Sequence, residues 1–144
     1  MSELQSSALH ADQAWMKQAI ALALQGQYST KPNPNVGCVI VKDGQLLGTG
    51  YHPKAGQPHA EVFAMREAGE QTQGATAYVT LEPCVMCCGA LNWAQISKVV
   101  IGAKDENRGF INKNLTLHPK TEILTGILEN ECSEILKDFF KNKR

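Results

Sequence analysis

His59-Ala60-Glu61, followed after a gap by Pro83-Cys84-Val85-Met86-Cys87, constrains this 144-residue chain more than any other stretch. It offers one imidazole and two thiols, with a carboxylate two residues beyond the imidazole. Soft nitrogen and sulfur donors suit zinc. Structural zinc sites close all four tetrahedral positions with Cys or His, whereas catalytic sites use three protein ligands and keep the fourth for water. His59, Cys84 and Cys87 supply three. Glu61 is then a proton carrier for the water and not a ligand. Any fold adopted by the chain must bring these two distant segments to one point.

The rest of the composition is permissive. A chain of this length forms one domain and buries about 68–70% of its unfolded surface, and 43% hydrophobic residues supply an ordinary core. Formal net charge is zero, so an RNA partner would need a local basic patch. The tail Lys137, Lys141, Lys143 and Arg144 could form one, although cations also favour a helix C-terminus. Five cysteines without a signal peptide point to a reducing compartment and metal chemistry, not to a disulfide framework. No apolar run approaches the roughly 20 residues of a membrane helix. A cytoplasmic protein with no membrane partner is expected, with residues 1–10 a flexible polar tail and residues 11–144 a single domain.

Asp12 is expected to cap a helix whose stripe is Trp15, Ala19, Ile20, Ala23 and Leu24, ending at Gly26. Lys31-Pro32-Asn33-Pro34-Asn35 excludes helix. Val36–Val41 reads as a strand, and Asp43-Gly44 as the turn of a hairpin into Gln45–Tyr51. His59 opens a helix running to Ala68. Ala75–Leu81 is a strand, Pro83-Cys84 opens a second helix, and Lys98–Ala103 is a buried strand. Asp105–Pro119 is irregular, Thr121–Thr125 a short strand, and Glu129–Phe140 an amphipathic helix presenting Cys132, Ile135, Leu136, Phe139 and Phe140. This order predicts an α/β fold: a three-layer α/β/α sandwich with a mixed five-stranded sheet. Cys38, Cys88 and Cys132 are expected in the core, and His10 and His118 on the surface. His52 ends a strand on the way to His59, where it could face a substrate.

Along nearly its whole length the chain resembles the zinc-dependent cytidine deaminase superfamily, through His-x-Glu and Pro-Cys-x-x-Cys. Its halves resemble different branches. Lys31–Val41, Gly50–Glu61 and Gly74–Cys84 are similar to the deaminase domain of the bifunctional riboflavin-biosynthesis enzyme. Val85–Ser97, Arg108–Ile111, His118–Ile123 and the stretch from Gly126 to Arg144 resemble bacterial tRNA adenosine deaminases. The two patterns meet in Thr80-Leu-Glu-Pro-Cys84, as they would in a chimera. The riboflavin-type insertion after the first Cys is missing, and the loop before His59 is the short Pro-Lys-Ala-Gly-Gln-Pro form.

The resemblance implies a cytidine deaminase-like fold, zinc as cofactor, and hydrolytic loss of an exocyclic amine with Glu61 carrying the protons. It places Asn33, His52 and the backbone near Ala60 in the base pocket. The leading expectation is adenosine in a tRNA anticodon loop, because the C-terminal half keeps that pattern to its end. A free aminopyrimidine of riboflavin synthesis, or another cytosine- or guanine-type base, is the alternative. A zinc-stabilised binding module with little catalysis is a third reading, of another class. The resemblance also implies a homodimer joined through helices near the metal, around Met86, Leu91 and Trp93.

Overall fold

Gly37–Lys42 (β1) is apolar over five successive residues and buried along its length, as a central strand covered on both faces must be. Its neighbours explain this. In a computed structural model, which describes residues 2–26 and 33–142, five strands line up in the order β2-β1-β3-β4-β5. They are β1, Gln45–Tyr51 (β2), Thr76–Leu81 (β3), Lys98–Ala103 (β4) and Glu122–Thr125 (β5). β1 runs antiparallel to β2 and β3, while β3, β4 and β5 are mutually parallel. The sheet is mixed and five-stranded, as the sequence predicts. The β1–β2 hairpin turns at Asp43 and Gly44, both at positive φ, 51° and 74°, as the Asp-Gly pair requires.

Strand alternation sorts the side chains into two cores. Cys38, Ile40, Ala77, Val79, Val99 and Ile101 face Ala60–Ala68 (α2) and Val85–Trp93 (α3). Val39, Val41, Tyr78 and Val100 face Glu3–Gln25 (α1) and Glu129–Asn142 (α4). Helices on both faces complete the three layers. Cys38, Cys88 and Cys132 lie in these cores as expected.

The N-terminal helix departs from expectation. It begins at Glu3, so residues 3–10 are helical and not an irregular tail. Ser2 and Gln5 form a reciprocal capping box, which satisfies orphan N–H groups without any apolar signal, and no Gly or Pro interrupts the run before Gly26. Asp12 therefore sits in mid-helix and is not the cap. Its buried carboxylate accepts the Tyr78 hydroxyl at 2.7 Å and pairs with Lys98 at 3.5 Å. A hydrogen bond to a charged group of this kind contributes about 1.5–3 kcal/mol. The buried stripe is Asp12, Met16, Ala19 and Ala23, with Trp15 and Ile20 at its margin and Leu24 largely exposed. The Lys31-Pro32 part of the expected loop lies outside the described residues, as do Lys143 and Arg144.

The strand directions gather one set of loops. Because β1 is antiparallel to both β2 and β3, its start lies between the end of β2 and the end of β3. Segments 33–36, 52–59, 82–85 and 104–111 thus crowd one end of the sheet, outside the carboxyl ends of β3 and β4, where open α/β sheets hold their ligands. Gly48 and Gly50 let α2 lie directly on β2: a Cβ at Gly50 would overlap the Ala60 carbonyl. That contact seats the start of α2.

Candidate active site

His59 and Cys84 occupy equivalent places, the N-cap positions of α2 and α3. Neither side chain caps its own helix, so both are free for other work. Cys87 follows three residues after Cys84, the spacing that returns a side chain to the same helix face. The three donor atoms lie within 4.8 Å of one another. His59 Nδ1 is 3.6 Å from Cys84 Sγ and 3.4 Å from Cys87 Sγ. A tetrahedral zinc with its usual bonds, about 2.3 Å to sulfur and 2.0–2.1 Å to nitrogen, separates such donors by about 3.6 Å. The residues fit zinc in donor type, number and spacing.

Electrostatics agree. The Cys87 thiol and backbone N–H both bond to Cys84 sulfur, with His59 also beside it, and they hold Cys84 down at about 3, as a thiolate. That neighbour in turn pushes Cys87 far up, so the pair shares one proton. A zinc ion held by these donors would displace that proton and leave both sulfurs as thiolate ligands. The bond to Cys84 raises His59.

Glu61 lies on the first turn of α2, 3% exposed. Burial is the main influence on its carboxyl and raises it above the usual carboxylate range, while its own backbone N–H and His59 act in the opposite direction. It contacts Cys87 but is not one of the three converging donors.

These groups border a small cleft open to solvent. Asn33 and His52 line it, as do His59, Glu61 and Cys84. His52 is buried with both ring nitrogens engaged: Nδ1 donates to the Pro58 carbonyl at 3.0 Å, and Nε2 accepts from Asn33 Nδ2 at 3.1 Å. It ties the loop before His59 to Asn33. Ala60, first residue of α2, is fully buried beneath Gly50, so only its backbone could meet a ligand. Three charged lining residues are not among those expected from the sequence: Glu82, Asp105 and Arg108. A signal for Glu82 exists, since a carboxylate directly after a β-rich strand, two residues before a metal ligand, needs a buried partner. Asp105 and Arg108 carry no such pattern.

Leu91 is fully buried in the chain's own core, unlike its expected place on an exposed apolar face. Val85, Met86 and Trp93 do project, 48%, 65% and 90% exposed. Phe139 is core and Phe140 half-exposed. His10 and His118 are exposed, as expected. No helix among the described residues is long and apolar enough to cross a membrane.

Residues 9–103 match the cytidine and deoxycytidylate deaminase zinc-binding region. The chain is 45% identical to the riboflavin biosynthesis protein RibD of Escherichia coli, over 92% of its own length but 38% of that protein's. It therefore spans about two fifths of that relative. It is also 45% identical to a diaminohydroxyphosphoribosylamino-pyrimidine deaminase of Buchnera aphidicola, covering 90% of itself and 94% of that enzyme. Among solved structures, RibD of Acinetobacter baumannii superposes with a TM-score of 0.82 at 56% identity, covering 93% of this chain and 40% of that one. A tRNA:A34 deaminase solved for A-to-I editing at the wobble position gives 0.68 at 28% identity, covering 85% and 98%. The similarity to RibD runs well past the Thr80–Cys84 junction.

Proposed function

The chain belongs to the cytidine and deoxycytidylate deaminase zinc-binding family, and from that premise we propose that it hydrolyses an exocyclic amine from a phosphoribosylamino-substituted diaminopyrimidine, releasing ammonia. The observation that carries this reading is the Buchnera enzyme, which matches this chain over nearly its entire length. His59, Cys84 and Cys87 would hold a zinc ion, which would supply the Lewis acidity that makes a water a nucleophile near neutral pH. Glu61 would accept one proton of the attacking water as its oxygen bonds the ring carbon and pass it to the ring nitrogen, then take the proton of the new hydroxyl and give it to the exocyclic amine as the C–N bond breaks. The ring amidine becomes a carbonyl as ammonia leaves. His52 holds Asn33 in place through Nε2, which leaves the Asn33 oxygen and second amide hydrogen to read the ring. Ala60 contributes its backbone N–H, one of the orphan donors at the start of α2.

Adenosine in a tRNA anticodon loop is the second reading, favoured by the coverage of 98% of the tRNA:A34 deaminase. Its identity of 28% against 45% for the pyrimidine deaminase ranks it second. Incubation with the phosphoribosylated diaminopyrimidine, cytidine, guanine and an anticodon stem-loop, with products resolved by liquid chromatography, separates the readings. Ammonia released from the pyrimidine alone is the expected result. Inosine in the stem-loop with the pyrimidine untouched would replace the first reading by the second. Catalytic silence toward every substrate would leave a zinc-stabilised binding module.

The exposed Val85, Met86 and Trp93 on α3 support a homodimer, since apolar side chains clustered on one helix face mark an interaction surface. Light scattering at micromolar concentration is expected to give twice the chain mass, falling to the monomer in Trp93→Glu. A monomeric parent would discard the dimer.

A further inference from the structure

Two hollows meet at the loop after β4. The cleft beside the zinc ligands and a neighbouring cavity share Pro34, Asp105 and Arg108 as a common wall. Lys104 and Asn107 extend the second cavity, and Leu136 and Phe140 of α4 close its far side. The second cavity opens from the wall of the zinc cleft at Arg108.

The loop between them is held by buried chemistry. Glu82, 5% exposed, accepts the Asp105 N–H at 3.2 Å on Oε1 and the Ile111 N–H at 2.9 Å on Oε2. Gly109 lies against this carboxylate so closely that a Cβ there would overlap it. Gly109 also bridges to Cys84, and the Phe110 N–H donates to the Pro83 carbonyl at 3.1 Å. Within the turn, Asp105 Oδ1 accepts the N–H groups of Asn107 and Arg108 at 3.1 and 3.0 Å. The Arg108 backbone is thus fixed between Asp105 and Gly109, while its side chain stays exposed at the seam. Neither Arg108 nor Lys104 forms an ion pair among the described residues. Asp105 is occupied as the cap of the turn, and the Glu106 carbonyl accepts the Asn112 amide at 3.0 Å.

We infer that Arg108 is the specificity residue for an anionic ribosyl-phosphate tail, which it meets at the junction of the two cavities, and that Glu82 is the positioning residue that holds it there. The inference rests on the aminopyrimidine reading above and adds to it how the substrate's non-reacting end is recognised. A planar guanidinium matches a phosphate with two parallel hydrogen bonds, and Lys104 adds a second positive charge.

Steady-state kinetics on the phosphoribosylated diaminopyrimidine and on its dephosphorylated counterpart test this directly. The parent is expected to discriminate by roughly 10–100-fold in KM, the range of charge-assisted hydrogen bonds. In Arg108→Ala that ratio is expected to collapse toward unity, and in Arg108→Lys, which keeps the charge but not the fork, to recover in part. Glu82→Gln is expected to reduce the ratio as well, while the absorption spectrum of the cobalt-substituted protein stays that of the parent. That spectrum separates a displaced loop from a damaged ligand set. A parent that turns over both pyrimidines with equal KM, or an Arg108→Ala that leaves the ratio intact, overturns the inference alone. A parent that turns over neither overturns the aminopyrimidine reading and this inference with it.

Discussion

Glu61→Gln is expected to retain about one zinc per chain and the parent's unfolding profile, yet to lose turnover by roughly 10²–10⁴-fold, the usual contribution of a positioned acid–base group. The glutamine keeps the shape of a side chain that is 3% exposed, so little repacking follows. It cannot accept a proton. The geometry separates the two roles, because His59, Cys84 and Cys87 converge without Glu61. The loss should therefore appear in kcat, with metal content unchanged by elemental analysis. Turnover within threefold of the parent would remove Glu61 from the proton path, and loss of zinc would make it a ligand.

This site is the part of the molecule most legible in the sequence. Its residue types are uncommon and serve few other purposes, and the Cys84–Cys87 spacing already implies one helix face. The central strands were equally plain, because a run such as Val36–Val41 has few other ways to be buried. What escaped was held together by distant or backbone partners. Residues 3–10 form exposed turns of α1 that a capping box secures, so no hydrophobic period marks them. Asp12 is buried because Tyr78, 66 residues away, donates to it, and nothing local separates that role from a helix cap. Glu82 binds the N–H groups of a loop more than twenty residues on, and backbone donors leave no trace in a sequence. His52 was placed in the cleft, but its role of holding Asn33 and the Pro58 carbonyl emerges only from both ring contacts.

Cys84→Ala is expected to remove most of the zinc and the stabilisation that zinc confers. Three donors within 4.8 Å form a chelate, and removing Cys84 leaves one imidazole and one thiol, too few donors for a tetrahedral zinc site. Binding to the folded state alone stabilises by about 2.7 kcal/mol when free zinc is 100 times its Kd. For a chain of this size that corresponds to a rise of about 5–10 °C in Tm. Thermal unfolding of the parent should shift upward by that much on addition of zinc, whereas Cys84→Ala should not respond. Cys38→Ala, which alters a thiol buried in the sheet core, should lower Tm through packing and still respond to zinc. A full equivalent of zinc in Cys84→Ala, or an equal thermal response, would require a different ligand set.

If one zinc at His59, Cys84 and Cys87 drives hydrolytic deamination, metal content and ammonia release must rise together. The most direct test is to strip the parent with a chelator, add zinc back stepwise, and measure ammonia released from the phosphoribosylated diaminopyrimidine at each step. Negligible release from the stripped protein, a linear return with added zinc, and a plateau at about one equivalent per chain are expected. Undiminished ammonia release by the metal-free protein, or a plateau that requires a second equivalent, would contradict that role of zinc.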